Sequence, residues 1–322
     1  MIPERHCNGC GGNLLPWLYM PIDAKKNTKT TYSSVLQCTD CGLGVLDPLP
    51  KQDAISEFYE LEGYYTHGEG HIIPLPETFA DRILNRIAWA MDYGRNFEPR
   101  LIASKLPADA SVCDLGCGNA KYLQDFKALG CETIGVDPDR MARIQAGNAG
   151  ITVLPGTGED LPVELLDKKF DLVIMTHSLE HCLDPMQALK NAYRLTKDGG
   201  LCYIEVPNCK SQHFQTFSVC SEMFDLPRHI YFFEPNCLSA MIMKLTFIPI
   251  ETFFNGYCRN FNQSWRGWEV TIADRIKMNS PTLKPNVHSF VNSVRLFFNS
   301  FWRRPQQKYD SFGLLIKKPV RK

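Results

Sequence analysis

The segment Val112-Cys113-Asp114-Leu115-Gly116-Cys117-Gly118-Asn119-Ala120 constrains the chain more than any other. A short apolar run enters a turn with two glycines, and a helical pattern over Ala120–Leu129 leaves it. Glycines at a strand-to-helix turn let the backbone approach a ligand at the helix N-terminus, where unpaired N–H groups gather. A dinucleotide fingerprint would need a further glycine at position 121. Lys121 stands there, which disfavours a nicotinamide or flavin cofactor. One βαβ unit later, Ile134-Gly135-Val136-Asp137-Pro138 ends a second apolar run on an acidic residue. A carboxylate at that point can accept both hydroxyls of a ribose.

The same alternation continues on both sides. Strands are predicted at Val112–Leu115, Thr133–Val136, Thr152–Leu154, Phe170–Thr176 and Leu201–Val206. Helices are predicted at Arg140–Asn148, Met186–Leu195 and Thr78–Phe97. Such a rhythm implies an α/β fold, a Rossmann-like doubly wound sheet that is mostly parallel. Ile248–Phe254 and Ser311–Ile316 add two late strands, the last expected to run antiparallel.

The first fifty residues have a different character. Cys7-Asn8-Gly9-Cys10 and Cys38-Thr39-Asp40-Cys41 are two CxxC pairs separated by a polar stretch. That spacing suits four thiolates around a tetrahedral zinc ion, in a small zinc-ribbon-like module. Gly11 and Gly42 follow the pairs, where a knuckle turn needs positive φ. So short a segment buries little core without metal. No secretory leader is legible, and no apolar run is long enough to cross a bilayer, so a reducing, cytoplasmic setting is expected. The domain plan is then 1–50 zinc module, 51–105 helical cap, 106–257 core, 258–308 helical insertion and 309–322 last core strand.

The ordered set Asp114–Ala120, Asp137, Gly156–Pro162, Phe170–Pro185 and Lys197–Gly200 resembles the class I S-adenosylmethionine-dependent methyltransferase superfamily. The match covers roughly the central half of the chain. The resemblance implies S-adenosylmethionine as cofactor, with Asp114, Gly116, Cys117 and Gly118 near its methionine part. It places Asp137 and Pro138 at the ribose, and Gly158 and Glu159 at the adenine. Ala120 stands where family members often have a third glycine, and Thr157 where they often have Asp. With its cysteine module and a Tyr-containing helix (Tyr59, Tyr64, Tyr65), the chain is similar to a bacterial group that modifies deoxysugars and surface glycans.

Thr176-His177-Ser178-Leu179-Glu180-His181 follows the fourth strand, so His177 and His181 are expected near the reacting centre, with His177 also beside the cofactor. Asp225-Leu226-Pro227-Arg228-His229-Ile230-Tyr231-Phe232 resembles a segment of the sugar-cluster enzymes and makes His229 a further base candidate. Methyl transfer to oxygen or carbon needs the acceptor proton removed, a task suited to histidine. The expected acceptor is a hydroxyl or carbon of a sugar, glycan or related small molecule. The rivals are a nucleic-acid methyltransferase with a zinc module and a binding module that has lost turnover. Lys+Arg and Asp+Glu balance at 35 each, which gives no field for nucleic acid and disfavours the first rival. Val287, Phe290, Val291, Val294, Phe297, Phe298 and Phe301 recur at helical spacing, with Ser289, Asn292, Ser293, Asn299 and Ser300 opposite. A core-packed helix is expected there, with membrane contact as the other reading.

Overall fold

A computed structural model of the chain describes residues 6–59 and 74–320. Tyr64 and Tyr65 lie outside the described residues. The central sheet has strands β1 (Ser111–Leu115), β2 (Glu132–Val136), β3 (Val153–Leu154), β4 (Phe170–Thr176), β5 (Thr196–Pro207), β6 (Ile248–Asn255) and β7 (Ser311–Lys317). Their spatial order is β6-β7-β5-β4-β1-β2-β3. Strand β7 runs antiparallel to both β5 and β6, and the remaining pairs are parallel. This is the Rossmann-like, mostly parallel sheet with an antiparallel last strand. Val112, Cys113 and Leu115 are all buried, because a central parallel strand is covered on both faces and therefore reads as one apolar run. The order reverses between β1 and β4, and that switch point fixes where a ligand can enter.

The cysteine-bearing segment forms antiparallel strands Leu14–Tyr19, Ser34–Cys38 and Gly44–Asp47. Their sheet takes its fourth strand, Tyr231–Phe232, from the core, with Tyr231 opposite Val45 and Phe232 opposite Gly44. Leu46 N–H donates to the Ile230 carbonyl at 2.8 Å and extends the seam. A module too small to close its own sheet is thus completed by the chain it is attached to.

Two helical expectations shift. The helix expected over Thr78–Phe97 spans Phe79–Ala90, opened by a capping box in which Thr78 and Asp81 exchange side-chain and backbone hydrogen bonds. It ends early because the Asp92 carboxylate accepts Gly94 N–H at 2.9 Å and Cys258 N–H at 3.1 Å, drawing the backbone out of helical pairing. The Phe290–Ser300 helix is rotated from the face that periodicity suggests. It buries Ser293, Leu296, Phe297 and Ser300 and leaves Val291 and Phe298 exposed. Ser300 is cheap to bury, since its hydroxyl donates to the Leu296 carbonyl at 2.6 Å and its small side chain lets the Tyr257 hydroxyl approach to 3.3 Å.

Candidate active site

A cavity of about 620 Å³ opens beyond the carboxyl ends of β1, β2 and β4, within the range of small-molecule sites. Asp114, Gly116, Cys117, Gly118, Asp137, Pro138, Gly158, Glu159, His177 and His181 all line it. The turn after β1 explains its own glycine. Gly116 sits at φ +82°, and a Cβ there would meet the Ser178 Cβ at 2.4 Å. Ser178 in turn donates to the Leu115 carbonyl at 2.8 Å and ties the loop after β4 to the turn after β1. Ala120 adopts φ 58° as the N-cap of the Lys121–Ala128 helix, a left-handed conformation that glycine takes more easily.

Backbone donors set the carboxylates at the mouth of the cavity. Asp137 accepts Gly118 N–H at 2.7 Å and Asp139 N–H at 2.8 Å, one on each oxygen. Its remaining lone pairs suit ribose hydroxyls. Burial raises its pKa against these bonds. Asp114 is fully buried, and burial together with the nearby Asp137 pushes its pKa up to about 8. Its Oδ1 has no hydrogen-bond partner. An orphaned carboxylate oxygen on the cavity wall is what a cationic or hydrogen-donating ligand would satisfy. Glu159 is occupied differently: its oxygens accept Leu183 N–H at 3.1 Å and Asp184 N–H at 2.5 Å, which clamps the loop after β4. Asn191 donates to the Gly158 and Glu159 carbonyls at 3.0 and 2.9 Å and holds that strip of backbone against the cavity.

The three histidines separate by environment. His177 Nδ1 lies 3.5 Å from Glu180 and Nε2 lies 3.3 Å from Glu205. Burial disfavours its charge, yet the hydrogen bonds to Glu180 and Glu205 prevail and raise its pKa to about 10. The two carboxylates thus favour the protonated ring, which lies on the cavity wall. His229 is buried, does not line the cavity, and is driven down to about 4 by burial and by the adjacent His181 ring. Its Nδ1 donates to the Met223 carbonyl at 3.0 Å, and its ring meets His181 edge-on at 4.8 Å. His229 is thus set back from the cavity lining, with the ring of His181, which does line it, as its neighbour.

His181 also lines the cavity. Its Nδ1 lies 2.9 Å from the Arg228 carbonyl. A carbonyl only accepts, so the proton is fixed on Nδ1 and Nε2 is left to receive one. Tyr59 Oη stands 3.2 Å from the same Nδ1. Tyr59, Ile55 and Gln52 line the cavity from the Gln52–Phe58 helix and the turn after it, so the segment before the core supplies one wall. The spacing of Ile55 and Tyr59, one helical turn apart, was the available sequence signal for this wall. Asn119, Lys121, Tyr122, Asp139 and Arg140 also line the cavity, and their signal was adjacency to the glycine turn and to Asp137.

Arg228, to which sequence reading gave no role, is the strut behind this arrangement. Its guanidinium is fully buried. It makes paired bonds to Asp23 at 2.7 and 2.9 Å, two to Asp225 at 2.7 and 2.9 Å, and one to the Phe58 carbonyl at 3.1 Å. Burial would raise the Asp225 pKa, but Arg228 and Lys25 overcome it and hold that carboxyl well below the usual range. One residue thus joins the cysteine module, the wall helix and the carbonyl that orients His181.

The four cysteines come together. Cys7 and Cys41 sulfurs are 3.6 Å apart, Cys10 and Cys38 sulfurs 3.4 Å, and all four lie within 4.8 Å. The edge of a tetrahedron with Zn–S bonds of about 2.3 Å is about 3.8 Å, so the set is close to what the ion requires. Gly9 and Gly12 N–H groups donate to Cys7 and Cys10 sulfurs at 3.3 and 3.4 Å, the bonds a thiolate knuckle attracts. Gly11 and Gly42 have φ +85° and +77°.

Residues 90–244 match a family model described as a methyltransferase domain. The chain is 28% identical over 179 residues to a ubiquinone biosynthesis O-methyltransferase of Ruegeria sp., covering 52% of this chain and 70% of that protein. It is 29% identical over 152 residues to the protein of the same description from Cereibacter sphaeroides, covering 44% of this chain and 61% of the relative. Among solved structures, a SAM dependent methyltransferase from Archaeoglobus fulgidus is 20% identical with a TM-score of 0.46, covering 74% of this chain and 94% of that one.

Proposed function

We propose that the chain, whose residues 90–244 match a methyltransferase domain, is an S-adenosylmethionine-dependent methyltransferase that methylates a hydroxyl group of a small acceptor. The observation that carries this is His181: it lines the cavity, and the Arg228 carbonyl leaves its Nε2 as the nitrogen that can take a proton. The sulfonium of the bound donor supplies an electrophilic methyl group. The protein's part is then to align the acceptor and to remove its proton. Asp137 and the Gly116–Gly118 turn hold the donor, with Asp114 facing its charged end, and His181 receives the hydroxyl proton. His177, kept cationic by Glu180 and Glu205, stays out of the proton transfer and fixes the loop.

For the acceptor we favour the hydroxyl of a sugar or glycan end, which rests on the resemblance of the 225–235 segment to sugar-cluster enzymes. A phenolic hydroxyl is the second reading, suggested by relatives described as ubiquinone biosynthesis O-methyltransferases. A methyl-transfer screen over sugar nucleotides and catechols, read by mass spectrometry, tests both. Turnover on either class supports hydroxyl transfer and selects between them. Transfer to amines only, with every hydroxyl acceptor inert, overturns it. Four cysteines gathered as a metal site rather than as disulfides suit a reducing, cytoplasmic setting.

The cysteine cluster we assign to a structural zinc ion held by Cys7, Cys10, Cys38 and Cys41. Purified protein should carry about one zinc per chain, and Cys38→Ser should lose it and loosen the module while the central sheet stays folded. Metal analysis that finds well-folded protein without zinc would contradict the assignment.

A further inference from the structure

We propose that the outer faces of the Phe79–Ala90 and Phe290–Ser300 helices together form a docking surface for an anionic lipid bilayer. The two helices pack against each other. On the second, Val291, Phe298 and Trp302 recur along one outward stripe, 73%, 66% and 82% exposed. On the first, Phe79 and Trp89 are exposed to 72% and 66%, with Ile83 between them also exposed. An apolar stripe beside exposed aromatic residues on a packed neighbouring helix marks a contact surface on a folded protein. No helix among the described residues is long and apolar enough to cross a membrane, so any lipid contact lies at the interface.

The charges around these stripes select the occupant. Between Asp274 and Asp310 the sequence holds no carboxylate at all, although the whole chain is balanced. Lys284, Arg295, Arg303 and Arg304 are exposed there. The Phe79–Ala90 helix adds exposed Arg82 and Arg86, and its one carboxylate, Asp81, is buried against Arg266 at 2.8 Å. Arg82 has a nearby acidic partner in Glu77, at 3.8 Å on the surface. Aromatic residues mixed with arginine suit the headgroup layer, where rings enter the acyl boundary and cations meet phosphate. A second copy of the chain is a poorer fit. A two-fold contact would set this patch against the same patch of the other copy, and the carboxylate-free 275–309 segment would leave the charges of Arg295, Arg303 and Arg304 unanswered.

Flotation with vesicles of phosphatidylcholine containing about 30 mol% phosphatidylglycerol tests this. The expected result is co-flotation with the anionic vesicles and roughly tenfold less with phosphatidylcholine alone. The pair Phe298→Glu and Trp302→Glu should abolish flotation, and Arg303→Glu with Arg304→Glu should weaken it strongly. Both variants alter exposed side chains, so donor binding and thermal unfolding should be unchanged. Absence of wild-type flotation overturns the proposal, as does equal flotation of the variants. It is equally overturned if sedimentation shows a dimer that the same substitutions dissolve, since the face is then a contact between copies.

Discussion

His181→Ala should lower methyl transfer to a hydroxyl acceptor by about 10²–10⁴-fold while the affinity for S-adenosylmethionine stays within about twofold. The rate loss follows from removing the group that takes the acceptor proton. The intact affinity follows from the proposed donor site, which is formed by the Gly116–Gly118 turn and Asp137 and does not include His181. His229→Ala is the control. It works through the ring of His181, so its effect on rate should be smaller and accompanied by lower stability, because a buried side chain is lost. Equal rates for His181→Ala and the wild type would mean that alignment alone suffices; a large loss of donor affinity would make His181 a cofactor contact.

Arg228→Met should cost about 3–5 kcal/mol of stability, the typical result of leaving buried carboxylates without their partner. Asp23 would lose its guanidinium partner, and Asp225 would be left to the Lys25 ammonium at 2.8 Å. The module should come loose from the core, visible as new proteolytic cleavage near residues 48–59, and turnover should fall because the carbonyl that orients His181 is displaced. Combining Arg228→Met with Asp23→Leu and Asp225→Leu should recover much of the stability, since a whole buried ion network can be replaced by apolar groups at little cost. Acid should act in the same direction as the mutation. The folded pKa of Asp225 lies below its unfolded value, so its contribution is complete above the ordinary carboxylate range, and it is lost as pH falls toward the folded pKa. A single variant that unfolds within about 0.5 kcal/mol of the wild type would contradict the strut.

Much of this was legible in the chain itself, for identifiable reasons. The central sheet was legible because its strands are buried on both faces and stand out as apolar runs between glycine turns. This wall of the cavity was legible because Gly116, Gly118 and Asp137 belong to one local βαβ unit. The surroundings of the histidines were not. His177, His181 and His229 are the same residue type near the same strand ends, and only their partners distinguish them: two carboxylates for the first, a backbone carbonyl for the second, burial for the third. Arg228 was invisible for a related reason, since Asp23 is distant in sequence and nothing local announces the pair. The Phe290–Ser300 helix shows the limit of periodicity. Its pattern contains two apolar stripes, and the fold, by satisfying Ser300 within the helix, buries the one with serines.

Calorimetric titration of S-adenosylmethionine into the wild type and Asp137→Ala tests the assignment of the cavity most directly. The expected result is one donor per chain, with the variant weaker by about 1.5–3 kcal/mol, or roughly 10–100-fold, for lost hydrogen bonds to a charged group. Failure of the wild type to bind the donor, or equal affinity in the two proteins, would contradict it.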